Sequence, residues 1–490
     1  MNNELLQDVK KEVEKAVVKG ELSRRDALKI FAFLSSGAAI GETSLFAETN
    51  ETNTSDLNTT PKLKTGVSAK IAIIGGGSAG ITVAARLVRA DVKPENITII
   101  EPSEKHIYQP GQTLVAAGVK TLEELYRNEV DYIPTGVNWK KTKVIEISPE
   151  TNSLKLENGE TLQYDYLVVG AGLKYEYEKI VGLTQDMIGS NDIYSIYLPE
   201  KTPIMWDAIQ KFNGKTAVFT NPSTPIKCGG APQKIMYLTE SYLRNNGKRD
   251  GKDIVFMTSA GKYFGVPIYH DAVVGFVKEK GIITNFKHEL KEVKAAEKVA
   301  IFEKTTTKKV FDKDLNDTID EDVKEKVEIK YDMLHVVPPM SPVDAVAKSS
   351  LANNKGWVFV DYETLLSKRY PNVFGIGDNI GTPFGKTGGS VRKQAPVLVA
   401  NMISLMNGKE MTHKYNGYTV CPLITCYGKV MLAEFGYDKA QIDKKEPVTK
   451  AMAMPSFPIL DPAKDRWIWW LLKVYLLPPM YWYGMLRGRA

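Results

Sequence analysis

The feature that most constrains the fold is a glycine-rich turn between an apolar run and a helical pattern. Residues 70–74 read KIAII, and GGGSAG follows them. Gly75, Gly77 and Gly80 have G-x-G-x-x-G spacing. Glycines so placed supply a tight turn, room for a pyrophosphate against bare backbone, and close packing of helix on strand. The turn therefore predicts a dinucleotide-binding unit built on a parallel sheet.

An acidic residue follows this turn at the expected distance. The next apolar run, residues 97–100, ends at Glu101, which is 21 positions after Gly80 (101 − 80). At that spacing a carboxylate reaches the ribose hydroxyls of a bound dinucleotide. The strand before the turn, the helix after it and this acid together favour a cofactor site over an incidental glycine-rich loop.

Two later segments resemble the returning strands of flavoproteins with two dinucleotide domains. One is YDYLVVGAGLKY, residues 164–175, which contains Gly172. The other is YPNVFGIGDNIG, residues 370–381, which ends in Gly377 and Asp378. In that class of flavoprotein the aspartate binds the ribityl chain and pyrophosphate of FAD, so Asp378 is expected to close an FAD site. The alternative is a turn residue after a strand.

A second α/β unit lacks the signals of a nicotinamide site. Its first predicted strand, TAVFTN at 216–221, runs into PSTPIKCGGAPQ, which lacks a second glycine fingerprint. Its next strand, DIVFMTSA at 253–260, carries Thr258 and Ser259 near its end. In nicotinamide-binding folds an acidic or basic side chain at this position distinguishes NAD from NADP. We therefore expect electrons to come from a small donor that reacts near the flavin.

The turn that replaces the second fingerprint carries one of the chain's three cysteines. Cys228 precedes a helical pattern, so the helix N-terminus, Lys227 and Lys234 would favour its thiolate. Cys421 is distant in sequence but follows the flavin-closing segment and could return to the same site. A structural disulfide and two buried free cysteines are alternatives that composition leaves open. Cys426 is interpreted as a packed residue.

From about residue 69 onward the chain resembles sulfide:quinone oxidoreductases, in the branch that includes the mitochondrial enzyme. The segments that carry the resemblance are HIYQPGQTLVAAG, KCGGAPQKIMYL, MLHVVPPMSP, YPNVFGIGD and YNGYTVCPLITCYGKVMLAEF. The resemblance implies an FAD enzyme in which Cys228 and Cys421 form a redox-active disulfide or trisulfide. It further implies that hydrosulfide leaves a persulfide on Cys421 and a thiolate on Cys228. The substrates would be sulfide, a membrane quinone and a small sulfur acceptor.

The resemblance adds one more candidate residue and one property of the cofactor. Lys386, in GTPFGKTGG, resembles a lysine that the family places near the flavin ring and the quinone pocket. A solvated loop lysine is the alternative. No cysteine precedes Cys228, so FAD is expected to be non-covalent. The five histidines are scattered and indicate no metal site.

The N-terminus reads as an export signal. Arg24 and Arg25 precede a mildly apolar run from residue 30 to 40 that is too short to span a bilayer, and a cleavage after Ala47 would follow. An amphipathic helix is the alternative. Residues 1–47 are thus predicted to be a twin-arginine signal and 48–68 a flexible linker, which places the protein on the periplasmic face of the inner membrane.

The C-terminus suggests where the electrons go. Residues 465–490 hold four of the seven tryptophans, with Lys473, Arg487 and Arg489 among them. Aromatic and basic residues favour the membrane–water boundary, so this tail is expected to lie on the membrane without crossing it. A tail buried in a homo-oligomer interface is the alternative. The net charge of +6 is small for 490 residues and argues against nucleic acid as a partner.

These inferences define an α/β chain with two Rossmann-like domains. The expected divisions after the linker are an FAD domain at 69–185 and 336–412, a second domain without a fingerprint at 186–335, and a cysteine and membrane region at 413–490. Three other functions remain in view: a flavin subunit that reduces a cytochrome, a redox sensor without turnover, and a nicotinamide:quinone oxidoreductase.

Overall fold

The computed structural model describes residues 3–20, 22–39, 60–312, 317–444 and 447–489. Its centre is a five-stranded parallel sheet that carries the glycine turn. In spatial order its strands are Val373–Gly375, Tyr166–Val169, Ile71–Ile74, Ile97–Ile100 and Asn138–Lys140. Every side chain of Ile71–Ile74 is buried, as expected for a strand covered on both faces of a parallel sheet.

A second five-stranded parallel sheet contains the predicted second α/β unit. Its order is Ile193–Tyr194, Met333–His335, Thr216–Asn221, Asp253–Thr258 and Ile283–Phe286. The two sheets confirm the predicted α/β class with two Rossmann-like units. A short antiparallel pair, Leu173–Tyr175 with Met340–Pro342, connects the segments that pass between them.

Smaller antiparallel sheets surround the two main ones. They are Lys105–Ile107 with Tyr126–Asn128; Val144–Ser148, Ser153–Leu156 and Thr161–Gln163; His288–Lys294, Val299–Asp312 and Asp317–Lys330; and Thr419–Cys426, Lys429–Tyr437 and Ala451–Ala453. The last of these carries Cys421 and packs on the second Rossmann-like unit through the helix that follows Cys228.

The helices cover the faces of the sheets and the two ends of the chain. They are Asn3–Val18, Arg24–Ala39, Ser78–Arg89, Gln112–Val115, Thr202–Lys211, Ala231–Asn245, Pro267–Glu279, Asp344–Ala347, Gly388–Met406 and Lys439–Asp443, followed by the helical turns of Trp467–Leu471, Leu472–Leu476, Leu477–Pro479 and Met480–Met485. No helix within the described ranges combines the length and apolar character needed to span a bilayer.

The two helices at the N-terminus pack on the rest of the chain, which a cleavable signal is not expected to do. Val9, Val13 and Leu22 are buried in the core that also contains residues of the second sheet. Asp8 forms an ion pair with Arg489, with 3.8 Å between Oδ2 and Nη1. The amphipathic-helix alternative therefore describes the Arg24–Ala39 helix better, because its Ala27 and Ile30 are buried in the same core while Arg24 and Arg25 are exposed.

The predicted cleavage after Ala47 and most of the predicted linker lie outside the described residues. The end of the linker is docked on the first Rossmann-like unit. The Leu63 amide donates to the Ala90 carbonyl over 2.9 Å, and Lys64 pairs with Asn407 over the same distance between its amide nitrogen and Oδ1.

The C-terminal segment, defined here as Trp467–Met485, is also packed inside the chain. Trp469, Lys473 and Trp482 are buried, whereas Trp467 is about half exposed at 49%. Trp482 contacts Tyr132 with ring centroids 4.9 Å apart. The segment therefore packs mainly against the rest of the chain, and of its four tryptophans Trp467 is exposed and Trp470 is partly buried.

The three fingerprint glycines differ in what a side chain would meet. Gly75 has φ of +97°, which excludes ordinary residues. A Cβ on Gly80 would lie 1.8 Å from the Gly75 carbonyl oxygen, so this glycine lets the helix pack against the turn. A Cβ on Gly77 would meet nothing within 4 Å, so Gly77 borders open space.

This difference yields a prediction that separates folding from cofactor binding. Gly77→Val is expected to lose FAD, because the side chain enters the open space, while the variant keeps the unfolding temperature of FAD-free wild type. Gly80→Val is expected to lower the stability of the protein itself by about 1–3 kcal/mol or more, because it overpacks the turn. Flavin absorbance and thermal unfolding measure the two effects. A full flavin complement in Gly77→Val would contradict this placement of the cofactor.

Candidate active site

One cavity of about 510 Å³ connects the glycine turn to the cysteine loop. Its size is that of a cofactor or small-molecule site. The predicted site residues on its wall are Gly75, Gly77, Glu101, Gly172, Cys228, Gly377, Asp378 and Lys386. The other two lie just behind the wall, since Gly80 packs on Gly75 and Cys421 is in hydrogen-bond contact with Cys228.

The wall near the glycine turn fits an FAD. Open space above Gly77 leaves bare backbone for the pyrophosphate, and the helix Ser78–Arg89 points its N-terminus there. Glu101 is held in place because its Oε2 accepts from the Gly76 amide over 2.8 Å and its Oε1 from the Ser103 amide over 2.8 Å. A carboxylate in this position can still accept from ribose hydroxyls.

Backbone hydrogen bonds fix the conformation of Cys228. Its φ of +55° is left-handed, a conformation that is uncommon for residues other than glycine. Its amide donates to the Lys386 carbonyl over 2.8 Å, and its own carbonyl accepts from the Ala231 amide over 2.7 Å. The helix Ala231–Asn245, predicted from the sequence, begins directly after this turn. These two hydrogen bonds therefore hold the Cys228 backbone in its strained conformation from both sides.

The structure brings Cys421 to Cys228, although 193 positions separate them (421 − 228). Cys421 lies on the strand Thr419–Cys426, is buried, and is near enough to Cys228 for each thiol to shift the pKa of the other. A Cβ on Gly230 would lie 2.5 Å from the Cys421 Sγ. Gly230 therefore makes the close approach of the two sulfurs sterically possible.

The electrostatic surroundings make the two thiols unequal. The Lys234 amine donates to the Cys228 Sγ over 3.1 Å. The hydrogen bond from Cys421, together with the charge of Lys234, holds the pKa of the Cys228 thiol well below its usual range against the effect of burial. The same hydrogen bond and burial raise the pKa of the Cys421 thiol well above its usual range. Cys228 is thus the thiol that ionises first.

A second lysine reaches this pair from the C-terminal segment. Lys473 is buried, lines the cavity and donates to the Pro110 carbonyl over 2.8 Å. Burial lowers the pKa of its amine to about 7, and the nearby Lys234 cation acts in the same direction. Near neutral pH this amine can therefore exchange a proton inside the cavity. Sequence analysis assigned Lys473 to the membrane face; its one signal was a lysine within a tryptophan- and leucine-rich run.

The two other lysines considered from the sequence have different positions. The Lys386 amine donates to the Asp378 and Ile380 carbonyls over 2.7 and 2.9 Å, so it braces the loop that carries Asp378. Burial lowers the pKa of Lys386 to about 7 and raises the pKa of Asp378. Lys227 donates instead to Gln109 Oε1 over 2.8 Å. Of the two lysines expected to favour the Cys228 thiolate, Lys234 is the one that contacts it.

Comparison with known proteins gives a family and a fold. Residues 69–197 match the model of the pyridine nucleotide-disulphide oxidoreductase family. Among solved structures, the sulfide:quinone oxidoreductase of the hyperthermophilic bacterium Aquifex aeolicus superposes with a TM-score of 0.65 at 18% identity, covering 86% of this chain and 91% of that one. At this identity the structure supports the fold.

Three curated relatives are more similar in sequence, and each is named a mitochondrial sulfide:quinone oxidoreductase. The mouse protein is 42% identical over 86% of this chain and 86% of its own length. The Dictyostelium discoideum protein is 38% identical over 86% of both chains. The Schizosaccharomyces pombe protein is 35% identical over 86% of this chain and 90% of its own.

These relatives correct the localisation expected from the N-terminus. Their mitochondrial names contradict a twin-arginine signal in residues 1–47 and a periplasmic position. The packing of Val9 and Val13 against the folded chain agrees with that correction. The pair Arg24 and Arg25, on which the export interpretation rested, is an exposed dipeptide at the start of the second helix.

The resemblance that began with short motifs thus extends over most of the chain. The aligned relatives match 86% of its length, which is far more than the segment 69–197 matched by the family model. On this evidence the chain belongs to the sulfide:quinone oxidoreductase family.

Proposed function

We propose that this protein oxidises sulfide at a redox-active bridge between Cys228 and Cys421 and delivers two electrons through FAD to a quinone. Sulfide oxidation with quinone as acceptor is the activity of its family, and FAD is the family's cofactor. The observation that supports the cysteine assignment is the contact of the two thiols beside Lys234 on the wall of the FAD cavity. A thiol pair placed elsewhere could not exchange electrons with the flavin.

The proposed reaction begins with thiol–disulfide chemistry. Hydrosulfide attacks the Cys421 Sγ, the bond to Cys228 breaks, and Cys421 keeps the incoming sulfur as a persulfide while Cys228 leaves as a thiolate. The leaving thiol should have the lower pKa. The direction of the two shifts supports this order, because Cys228 is the more acidic thiol.

A small nucleophile then takes the outer sulfur from Cys421 and leaves a second thiolate. When the two thiolates form the bridge again, two electrons leave the sulfurs. A bound FAD would supply the acceptor for this electron pair and the link to the quinone. Lys234 balances the charge of the Cys228 thiolate, and Lys473 can hold or release one proton near the pair. We propose that FAD is held without a covalent link, since Cys228, the earliest cysteine, serves the bridge.

The turn that carries Cys228 also disfavours a nicotinamide donor. After the strand Thr216–Asn221, the position of a second fingerprint is taken by the turn that carries Cys228. This turn is fixed on Lys386 by a backbone hydrogen bond and leads directly into the helix Ala231–Asn245. The second Rossmann-like unit would therefore present a thiol where related folds bind a pyrophosphate.

We also propose peripheral contact with a membrane, through the stretch that leads into the C-terminal segment and the first residue of that segment. Met452, Ile459 and Trp467 are exposed by 51%, 90% and 49%. Exposed apolar side chains of this size favour an interface. Ile459→Asp is expected to reduce binding to lipid vesicles in a flotation assay, whereas Val181→Asp, at a valine that is 64% exposed, is expected to bind as wild type. Equal binding of both variants and wild type would contradict this surface.

The cysteine roles are tested by three serine variants. Cys228→Ser and Cys421→Ser are expected to lose sulfide-dependent quinone reduction by about a thousandfold or more, because no bridge remains for hydrosulfide to attack. Cys426→Ser is the matched control and should keep most of its activity. Flavin content, measured in each variant, confirms that the cofactor is retained. Near-normal turnover by Cys228→Ser or Cys421→Ser would overturn the assignment.

The role of Lys234 is tested by the pH dependence of thiol reactivity. In reduced protein, Lys234→Met is expected to raise the pKa of the Cys228 thiol, because the thiolate loses its neighbouring cation. The thiolate would then form only at higher pH, and alkylation by iodoacetamide would shift in the same direction. Lys227→Met, whose amine contacts Gln109, is the matched control. An unchanged profile in Lys234→Met would contradict the proposed contact.

A further inference from the structure

A buried polar chain joins the C-terminal segment to the region of the glycine turn. His106 Nδ1 lies 2.9 Å from Glu129 Oε2, and His106 Nε2 lies 2.6 Å from the Tyr481 hydroxyl. The side chains of His106 and Glu129 are each about 2% exposed. None of these three residues contacts the cysteine pair, so the reaction proposed above makes no use of them.

One tautomer satisfies both contacts of His106. With its proton on Nδ1, the imidazole donates to Glu129 Oε2 and accepts from the Tyr481 hydroxyl at Nε2. The other carboxylate oxygen, Glu129 Oε1, is buried and has no hydrogen-bond partner among the described residues. An unpaired buried acceptor is costly, so this oxygen calls for a donor that reaches it from the cavity.

The position of this oxygen identifies the donor. A Cβ on Gly76 would lie 2.3 Å from Glu129 Oε1 and 2.6 Å from Glu101 Cγ, so both acids border the same point of the turn. Both also line the cavity. The acid in the position of Glu101 binds a ribose hydroxyl in dinucleotide folds. A vicinal diol has two hydroxyl donors, one for each carboxylate.

We propose that Glu129 is a second ligand of the FAD adenosine ribose, and that Glu129, His106 and Tyr481 form a latch that couples FAD binding to docking of the C-terminal segment. The inference rests on the FAD site proposed above. A ribose hydroxyl that donates to Glu129 Oε1 fixes the carboxylate, which orients the imidazole, which in turn holds Tyr481. Glu129 contacts the cofactor, whereas His106 and Tyr481 are positioning residues.

The latch has a consequence at the opposite end of the cavity. Tyr481 and Lys473 belong to the same C-terminal segment, and Lys473 reaches the surroundings of the cysteine pair. Occupation of the ribose site would therefore help to keep Lys473 in place. Coupling of this kind is reciprocal: if FAD favours docking of the segment by some factor, docking raises FAD affinity by the same factor.

The test compares holoprotein with protein depleted of FAD, in wild type, Tyr481→Phe and the matched control Tyr483→Phe. Hydrogen exchange of residues 467–489 is measured by mass spectrometry with and without saturating FAD. In wild type and Tyr483→Phe, FAD is expected to slow this exchange by about tenfold, the size of one buried hydrogen bond to a charged network. In Tyr481→Phe the FAD-dependent slowing should largely disappear, and FAD affinity should fall by the same factor.

A second variant tests the ribose contact itself. Glu129→Gln is expected to weaken FAD binding, and to narrow the preference of FAD-depleted protein for ADP over 2′,3′-dideoxy-ADP, because the charged acceptor is lost. Unchanged exchange on FAD binding to wild type, normal FAD protection in Tyr481→Phe, or an unchanged ADP preference in Glu129→Gln would each overturn the proposal. If purified wild type contains no flavin, the proposed FAD site itself is wrong. If it contains flavin, the outcomes above test the latch alone.

Discussion

The contact between the Lys234 amine and the Cys228 sulfur is the interaction on which the rest of the site depends. A buried thiolate is costly unless a cation and hydrogen bonds compensate for the lost water. Lys234 lies one turn into the helix that begins after Cys228, so the cation and the helix N-terminus act on the same atom. Gly230 then leaves room for Cys421 to approach. In the proposed reaction this arrangement would make Cys228 a good leaving group and Cys421 the site of attack.

The location of this pair follows from how the parallel sheets are built. In such sheets, ligands bind beyond the carboxyl ends of the strands. The first sheet places its glycine turn there, and the second places Cys228 there, seven positions after Asn221. Both loops face one cavity. The first unit thus keeps the glycine turn of a cofactor site, and we propose that the equivalent loop of the second unit serves sulfur chemistry.

Local signals were sufficient to predict much of this site, and long-range contacts explain the rest. The glycine turn, Glu101 and the helix after Cys228 could be predicted because each depends on residues within about twenty positions. The order of segments allowed Cys421 to return to the site of Cys228 but left other arrangements open, and the resemblance to a family favoured the pair. The chain Glu129–His106–Tyr481 has no local pattern, since 375 positions separate His106 from Tyr481. The C-terminal segment was assigned to the membrane because its aromatic composition fits a membrane interface and a packed protein interior equally well.

The central claim is that electrons enter from sulfide at the cysteine pair and reach the flavin beside it. Its most direct test is rapid anaerobic mixing of the oxidised protein with sulfide and, separately, with NADH, while the flavin spectrum is recorded. The account predicts that sulfide bleaches the flavin and produces a long-wavelength charge-transfer band, and that NADH does neither. Rapid bleaching by NADH, or a flavin that stays oxidised with excess sulfide, would contradict it.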